Sequence, residues 1–220
     1  MRNTAQAAFT LLELLIVIAL GALLIGVAAS NLGQLENTRF RVQSNEIAAA
    51  LRFAFTQSVT RGKYMRMVFD LDAETWWLES SEEPVFLPTE KIEGGEDPNA
   101  PTEEELAENE RRKEEGLPPL PTRARFQNDE VISKRTLDRG AVLHGAFTSS
   151  LEEPIFQGKA FVHFFPSGFA EPAMIYVGNG QEGVLTLTLN PLTGKVSRRI
   201  GQLDPDREFG TPFREEEEGR

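Results

Sequence analysis

Few residues in this chain can do covalent or metal chemistry. There is no cysteine, and the only histidines are His144 and His163. Thiol catalysis, disulfides, Cys-based zinc sites and lipid attachment through an N-terminal Cys are therefore excluded. Both histidines fall in segments that read as strands, with no HExxH spacing and no triad context, so they read as packed or surface residues. Ser167 sits in a Pro-Ser-Gly turn, not in a GxSxG elbow. Neither a phosphate loop nor a GxGxxG sequence occurs. Asp204 and Asp206 are two acids without the remaining ligands of a calcium loop. The expectation is a chain with no catalytic, cofactor or metal site. Lys195, Arg198 and Arg199 form a small basic cluster. They are the candidates for DNA or partner binding, against the plainer reading of edge-strand charge that discourages aggregation.

The residue with the largest energetic consequence is Glu13. Phe9 to Ala29 reads FTLLELLIVIALGALLIGVAA, with Glu13 as its one charge and Thr10 as its one hydroxyl. As a helix, this stretch covers about the 30 Å hydrocarbon core of a bilayer. An ordinary cleavable signal peptide fits the basic Arg2, the apolar run and the small residues at Ala28, Ala29 and Ser30. A plain signal anchor fits as well. Glu13 weighs against both, because a carboxylate in an apolar helix costs a few kcal/mol and so implies a function and a partner.

The run Ala8-Phe9-Thr10-Leu11-Leu12-Glu13-Leu14-Leu15-Ile16-Val17-Ile18 resembles the processing signal of type IV prepilins and pseudopilins. In that family a prepilin peptidase cuts before a Phe or Met and N-methylates the new terminus. The fifth mature residue is a Glu. The resemblance implies cleavage between Ala8 and Phe9, methylation at Phe9 and a role in subunit assembly for Glu13. The partner it implies for Glu13 is the free amino group at Phe9 of a neighbouring subunit. The family prefers Gly before the cut. Here Ala8, the nearest residue in size, takes that place. Arg39, Arg41, Arg52, Arg61, Lys63 and Arg66 all follow the apolar run, so the positive-inside rule does not favour a cytoplasmic N-terminus. The outward-facing C-terminal domain is implied by the resemblance alone.

Helical periodicity continues past the apolar run. Phe40, Ser44, Ile47, Leu51, Ala54, Phe55 and Val59 recur at three- and four-residue steps, and Gly62 is a plausible stop. The spacing predicts one helix from about Thr10 to Thr60. Strands are expected at Tyr64 to Leu71, Trp76 to Leu78, Ala141 to Phe147, Lys159 to Phe165, Ala173 to Val177, Val184 to Leu189 and Lys195 to Ile200. Turns fall at Pro166-Ser167-Gly168, Gly178-Asn179-Gly180 and Asn190 to Gly194. The fold class is α+β, in the pilin-like form of a long N-terminal helix packed on a small antiparallel sheet.

Glu79 to Pro121 holds 14 Asp/Glu against 4 Lys/Arg, so nearly all of the net charge of −11 lies there. This argues against broad nucleic-acid binding by the near-neutral remainder. Seven of the 13 prolines also fall in Glu79 to Arg125, which reads as loop or disorder. Thr102-Glu103-Glu104-Glu105 within it is a capping box for a short exposed helix over Leu106 to Glu115. The segment reads as a tolerated surface loop or as a partner-docking insertion. The tail containing Glu215 to Glu218 reads as solvated and frayed.

Phe164-Phe165-Pro166-Ser167-Gly168, with the later hairpin Asn190 to Val196, is similar to the end of the H-type minor pseudopilin of type II secretion. The expected organisation is a leader over 1–8, a transmembrane helix over 9–35 and an amphipathic helix over 36–62. A β-rich pilin-like domain over 63–78 and 126–203, an acidic insertion over 79–125 and a tail over 204–220 follow. The resemblance implies a single-pass inner-membrane protein with a periplasmic domain, built into a pseudopilus at or near its tip and supporting export across the outer membrane. Its implied partners are other pseudopilins, the prepilin peptidase, the inner-membrane secretion platform and membrane lipid, with nucleic acid disfavoured. A minor pilin of a type IV pilus, serving assembly initiation, adhesion or DNA uptake, stays open as the alternative. So does an exported soluble domain, although the helix continuing past Ala29 disfavours it.

Overall fold

The structure, a computed structural model, describes residues 11–88, 91–92, 97, 99–118, 124–138, 140–179 and 183–210, without the side chains of 24–39. One helix, α1, runs from Leu11–Arg61, 51 residues, within one position of the expected span. Gly62 follows at φ 64°, a left-handed conformation that glycine adopts without penalty, and ends it.

Strand β1 (Tyr64–Asp70) turns through 71–74 into β2 (Thr75–Ser81) and pairs with it antiparallel from Tyr64↔Ser81 to Asp70↔Thr75. β2 therefore runs three residues into the segment read as insertion. Cross-strand bonding to β1 carries Glu79, Ser80 and Ser81 where composition suggested loop. A short helix α2 (Glu103–Glu114) follows. Its N-cap Thr102 accepts from the Glu105 N–H while Glu105 bonds back to Thr102, the expected capping box. Two-residue strands β3 (Gln127–Asn128) and β4 (Arg135–Thr136) both add to β2. The remaining strands are β5 (Val142–Thr148), β6 (Lys159–Phe165), β7 (Phe169–Ala170), β8 (Ala173–Gly178), β9 (Val184–Leu189) and β10 (Val196–Ile200). A last helical turn, α3 (Pro205–Phe209), closes the described chain.

The protein is α+β, with the long helix packed on antiparallel sheet. The sheet is not one but two: a six-stranded sheet β3-β2-β1-β6-β7 with β4 also on β2, and a four-stranded sheet β10-β9-β8-β5. α1 lies against both. Ile47, Leu51 and Ala54 pack with Met65, Met67 and Phe69 of β1, Val162 and Phe164 of β6, and Ile175, Leu187 and Leu189 of the second sheet. Burial of this set drives the fold, at about 25 cal/mol per Å² of apolar surface removed from water. One close approach fixes the last hairpin on the helix. Gly194, at φ 65°, leaves no room for a Cβ, which would lie 2.3 Å from Cγ of Phe55.

β1 and β6 are covered on both faces. Met65, Met67 and Phe69 face α1, and Arg66 and Val68 point the other way, as alternation requires. The insertion covers this outer face. The Arg66 guanidinium bonds Glu79 at 2.7 Å and Asp97 at 2.8 Å, and lies 4.0 Å from the Phe126 ring and 4.8 Å from that of Phe161. Val85 is buried, and the Ile92 N–H donates to the Ser150 carbonyl. The described base of the insertion is thus tied down by contacts between residues far apart in sequence. Helix α2, by contrast, has no buried residue.

The tail also begins in order. Asp204 caps α3, Pro205 is buried, and the Phe209 ring stacks on Phe147 at 6.3 Å. The Tyr176 hydroxyl donates to the Leu203 carbonyl. The expectation of a frayed tail from residue 204 is corrected as far as Phe209, because these apolar contacts offset the ordering entropy of that turn. Glu215 to Glu218 lie outside the described residues.

Candidate assembly site

Ala8 and Phe9, where cleavage and methylation are expected, lie outside the described residues. Glu13 lies near the start of the described part of α1. Around it Leu11, Leu12, Leu14, Leu15, Ile16, Val17, Ile18 and Leu20 are all exposed, between 49% for Ile16 and 86% for Leu11. Leucine, isoleucine and valine on every side of a helix leave no polar face to turn to water, so this half needs an apolar surrounding. No helix among the described residues meets the length and apolarity needed to cross a membrane. The expected span 9–35 extends beyond them at its start, and in its side chains beyond Leu23. From Phe40 onward the same helix changes character: Gln43, Ser44, Ile47, Ala48, Ala50, Leu51 and Ala54 are buried against the sheets, while Arg41, Val42, Asn45 and Arg52 face out.

Lys195, Arg198 and Arg199 do not form one patch. Arg198 shares a strand face with buried Val196 and lines a groove of about 290 Å³ with Arg41, Ser44 and Asn45 of α1 and Leu185 of β9. Arg199, on the opposite face, bonds Glu208 of α3 at 2.8 Å. Lys195 borders a separate hollow beside Asn190, Pro191, Glu208 and Phe209. The period-two alternation of a strand turns Arg198 away from Arg199, which with Lys195 lies on the side of Glu208.

The histidines part company too. His144 is exposed on β5, its ring 5.6 Å from that of Phe156. His163 is buried on β6, and its Nδ1 lies 2.8 Å from Oε2 of fully buried Glu171. Its Nε2 lies 3.0 Å from Nδ2 of Asn99, in the insertion. Ser150 donates both its N–H and its hydroxyl to Oε1 of Glu171, at 3.0 and 2.5 Å. Burial pushes the Glu171 carboxyl up. The bonds and charge of His163 and the bonds from Ser150 outweigh that and hold it below the ordinary glutamate range. The set resembles a catalytic triad only in composition. The Ser150 hydroxyl points at the carboxylate and not at the imidazole, so no nucleophile is activated. Its work is to satisfy a buried charge. Sequence reading missed Glu171 because an acid between Ala170 and Pro172 carries no spacing signal.

Residues 3–29 match the prokaryotic N-terminal methylation motif. That motif spans Ala8, Phe9 and Glu13, and its described part, residues 11–29, lies in α1, the helix that packs on the sheets further along. No curated protein matches the chain in sequence. Among solved structures, it is similar to two of the minor pseudopilin EpsH from the type 2 secretion system of Vibrio cholerae, each at 15% identity. One superposition covers 73% of this chain and 94% of that one at a TM-score of 0.37. The other covers 76% and 98% at 0.41.

Proposed function

We propose that this chain is a minor pseudopilin, a structural subunit of a type II secretion pseudopilus, that supports protein export across the outer membrane. The observation that carries the reading is the methylation motif at the head of an unbroken helix whose first half is apolar all round and whose second half is built into a folded domain. Residues 9–35 anchor the subunit in the inner membrane, with the two-sheet domain in the periplasm. Prepilin peptidase cuts between Ala8 and Phe9 and methylates Phe9. The apolar helices of neighbouring pseudopilins then pack together on the secretion platform, with Glu13 answering the Phe9 amino group of a neighbour. The single anchored domain and the large insertion suit a position at or near the tip.

The test is the intact mass and N-terminal peptide of membrane-extracted protein, made with and without prepilin peptidase. A peptidase-dependent start at Phe9 carrying one methyl group supports the reading. A start near Ala29 or Ser30, whatever the peptidase, replaces it with an exported soluble domain. Within the same reading, Glu13→Ala inserts normally and enters sheared filaments poorly, because only the assembled state uses the carboxylate. Wild-type incorporation of that variant would remove the role assigned to Glu13.

A further inference from the structure

We infer that the groove between α1 and β10 is the docking site of the chain's own acidic tail, with Glu215 to Glu218 seated on Arg41 and Arg198. Arg41, Ser44 and Asn45 lie on one face of α1 at helical spacing, and Arg198 of β10 and Leu185 of β9 close the opposite wall around about 290 Å³. Two guanidinium groups line this space and no carboxylate does. Both arginines are exposed, and neither makes an ion pair with an acid among the described residues. Like charges across a groove repel unless an anion lies between them. Planar forks of donors fit carboxylates bidentately, so a run of glutamates is the chemistry that this groove takes.

Connectivity selects the tail as the source of those carboxylates. The segment that leads into it already pairs with β10. Glu208 of α3 bonds Arg199 at 2.8 Å, and Phe209 borders Lys195 and Ser197. That pairing uses the face of β10 turned away from α1. Arg198, the next residue in the strand but on the α1 side, is left for the next acids in the chain, which are Glu215 to Glu218. β10 is the terminal strand of its sheet, so the tail passes round a free edge without crossing the sheet. Layers packed on a sheet lie about 10 Å from it, so the way from α3 round β10 to the groove is roughly 15 Å. An extended chain gains at most about 3.3–3.6 Å per residue, so the five to eight residues beyond Gly210 reach roughly 17–28 Å. So short a tether holds the glutamates at an effective concentration in the millimolar range, without the entropy cost of bringing in a second molecule. The other acidic run, in the insertion, has its described base fixed on β1 and β6 of the other sheet.

The test uses the full chain in a non-ionic detergent and a carbodiimide, which joins an amine to a carboxylate only where the two touch. Arg41→Lys and Arg198→Lys, made singly, keep the positive charge and supply the amine. Ordinary and heavy-isotope chains are mixed in equal parts before coupling, and the linked peptides are read by mass. Peptides of 211–220 are expected joined to position 198 and to position 41, several-fold more often than to native Lys195, with both halves from one isotope. Raising the ionic strength from about 0.01 to about 1 M is expected to cut the yield several-fold, because the Debye length falls from about 30 to about 3 Å. Coupling of the tail to Lys195 alone, or no coupling at either introduced amine, overturns the inference. Coupling of those amines to the insertion gives the groove to the insertion, and mixed-isotope pairs give it to a second copy; either also overturns it. The wild-type arginines supply an independent reading. Deleting 211–220 is expected to speed modification of Arg41 and Arg198 by phenylglyoxal several-fold, and an unchanged rate is a refutation in its own right.

Discussion

Glu171 shows how one buried charge is stabilised. Its carboxylate has no exposure and is surrounded by donors from Ser150 and His163. Its folded pKa lies below the unfolded value, so its stabilisation is complete above about 4.5 and is lost as pH falls through the folded pKa. Glu171→Gln leaves buried donors poorly matched. Urea melts at pH 7 should show a loss of about 1–3 kcal/mol. The gap to wild type should narrow at pH 3.5, and a gap equally large there would contradict the assignment. Tyr176 behaves in the opposite sense. Burial, then the nearby Asp204 charge, push its phenol up to about 12. The chain has only one other tyrosine, so ultraviolet titration of Tyr64→Phe should show little tyrosinate absorbance at pH 11. The stabilisation from keeping this phenol neutral is present below about pH 10, the unfolded value, and is lost as pH rises toward 12.

At the scale of elements, the contact between α1 and the β9–β10 hairpin is the tightest constraint. Gly194→Ala puts a methyl group 2.3 Å from Phe55 Cγ in a backbone conformation that L residues avoid. The expected cost is about 2–4 kcal/mol, read from denaturant melts, and Phe55→Ala in the same chain should recover part of it. Strands β6 and β9 coincide with their sequence assignments, because short apolar runs bounded by Gly, Pro and Asn turns leave little choice of boundary. β3, β4 and β7 were not legible. Two-residue strands have no periodicity of their own, and they exist because β2 and β6 offer open edges to them.

For the molecule as a whole, the acidic insertion divides into a base tied to the body and a tip helix with no buried residue. Its base is held by Arg66, by His163 through Asn99, and by backbone bonding at Ile92. Its tip, α2, buries nothing. Replacing 102–117 with a Gly-Ser linker of equal length should therefore leave the melting temperature within about 2 °C. Asp97→Ala should lower it by several degrees, since one kcal/mol corresponds to about 2–4 °C in a domain of this size. Equal losses from both changes would show that the tip helps hold the domain together.

Local and periodic features can be read from the chain alone. The methylation signal, the length of α1 with its switch from all-round apolar to striped, the capping box of α2 and the main strands are each written in neighbouring residues. Their physics is that of one helix turn, one turn type or one alternation. Tertiary structure alone decided what depends on pairing across distance. It split the strands into two sheets, laid the insertion on the outer face of β1 and β6, and buried Glu171 beside His163. It also separated Arg198 from Lys195 and Arg199 while bringing it to Arg41. Pairing energy comes from contacts between segments that carry no mark of their partner, so these arrangements follow only once the whole core has closed.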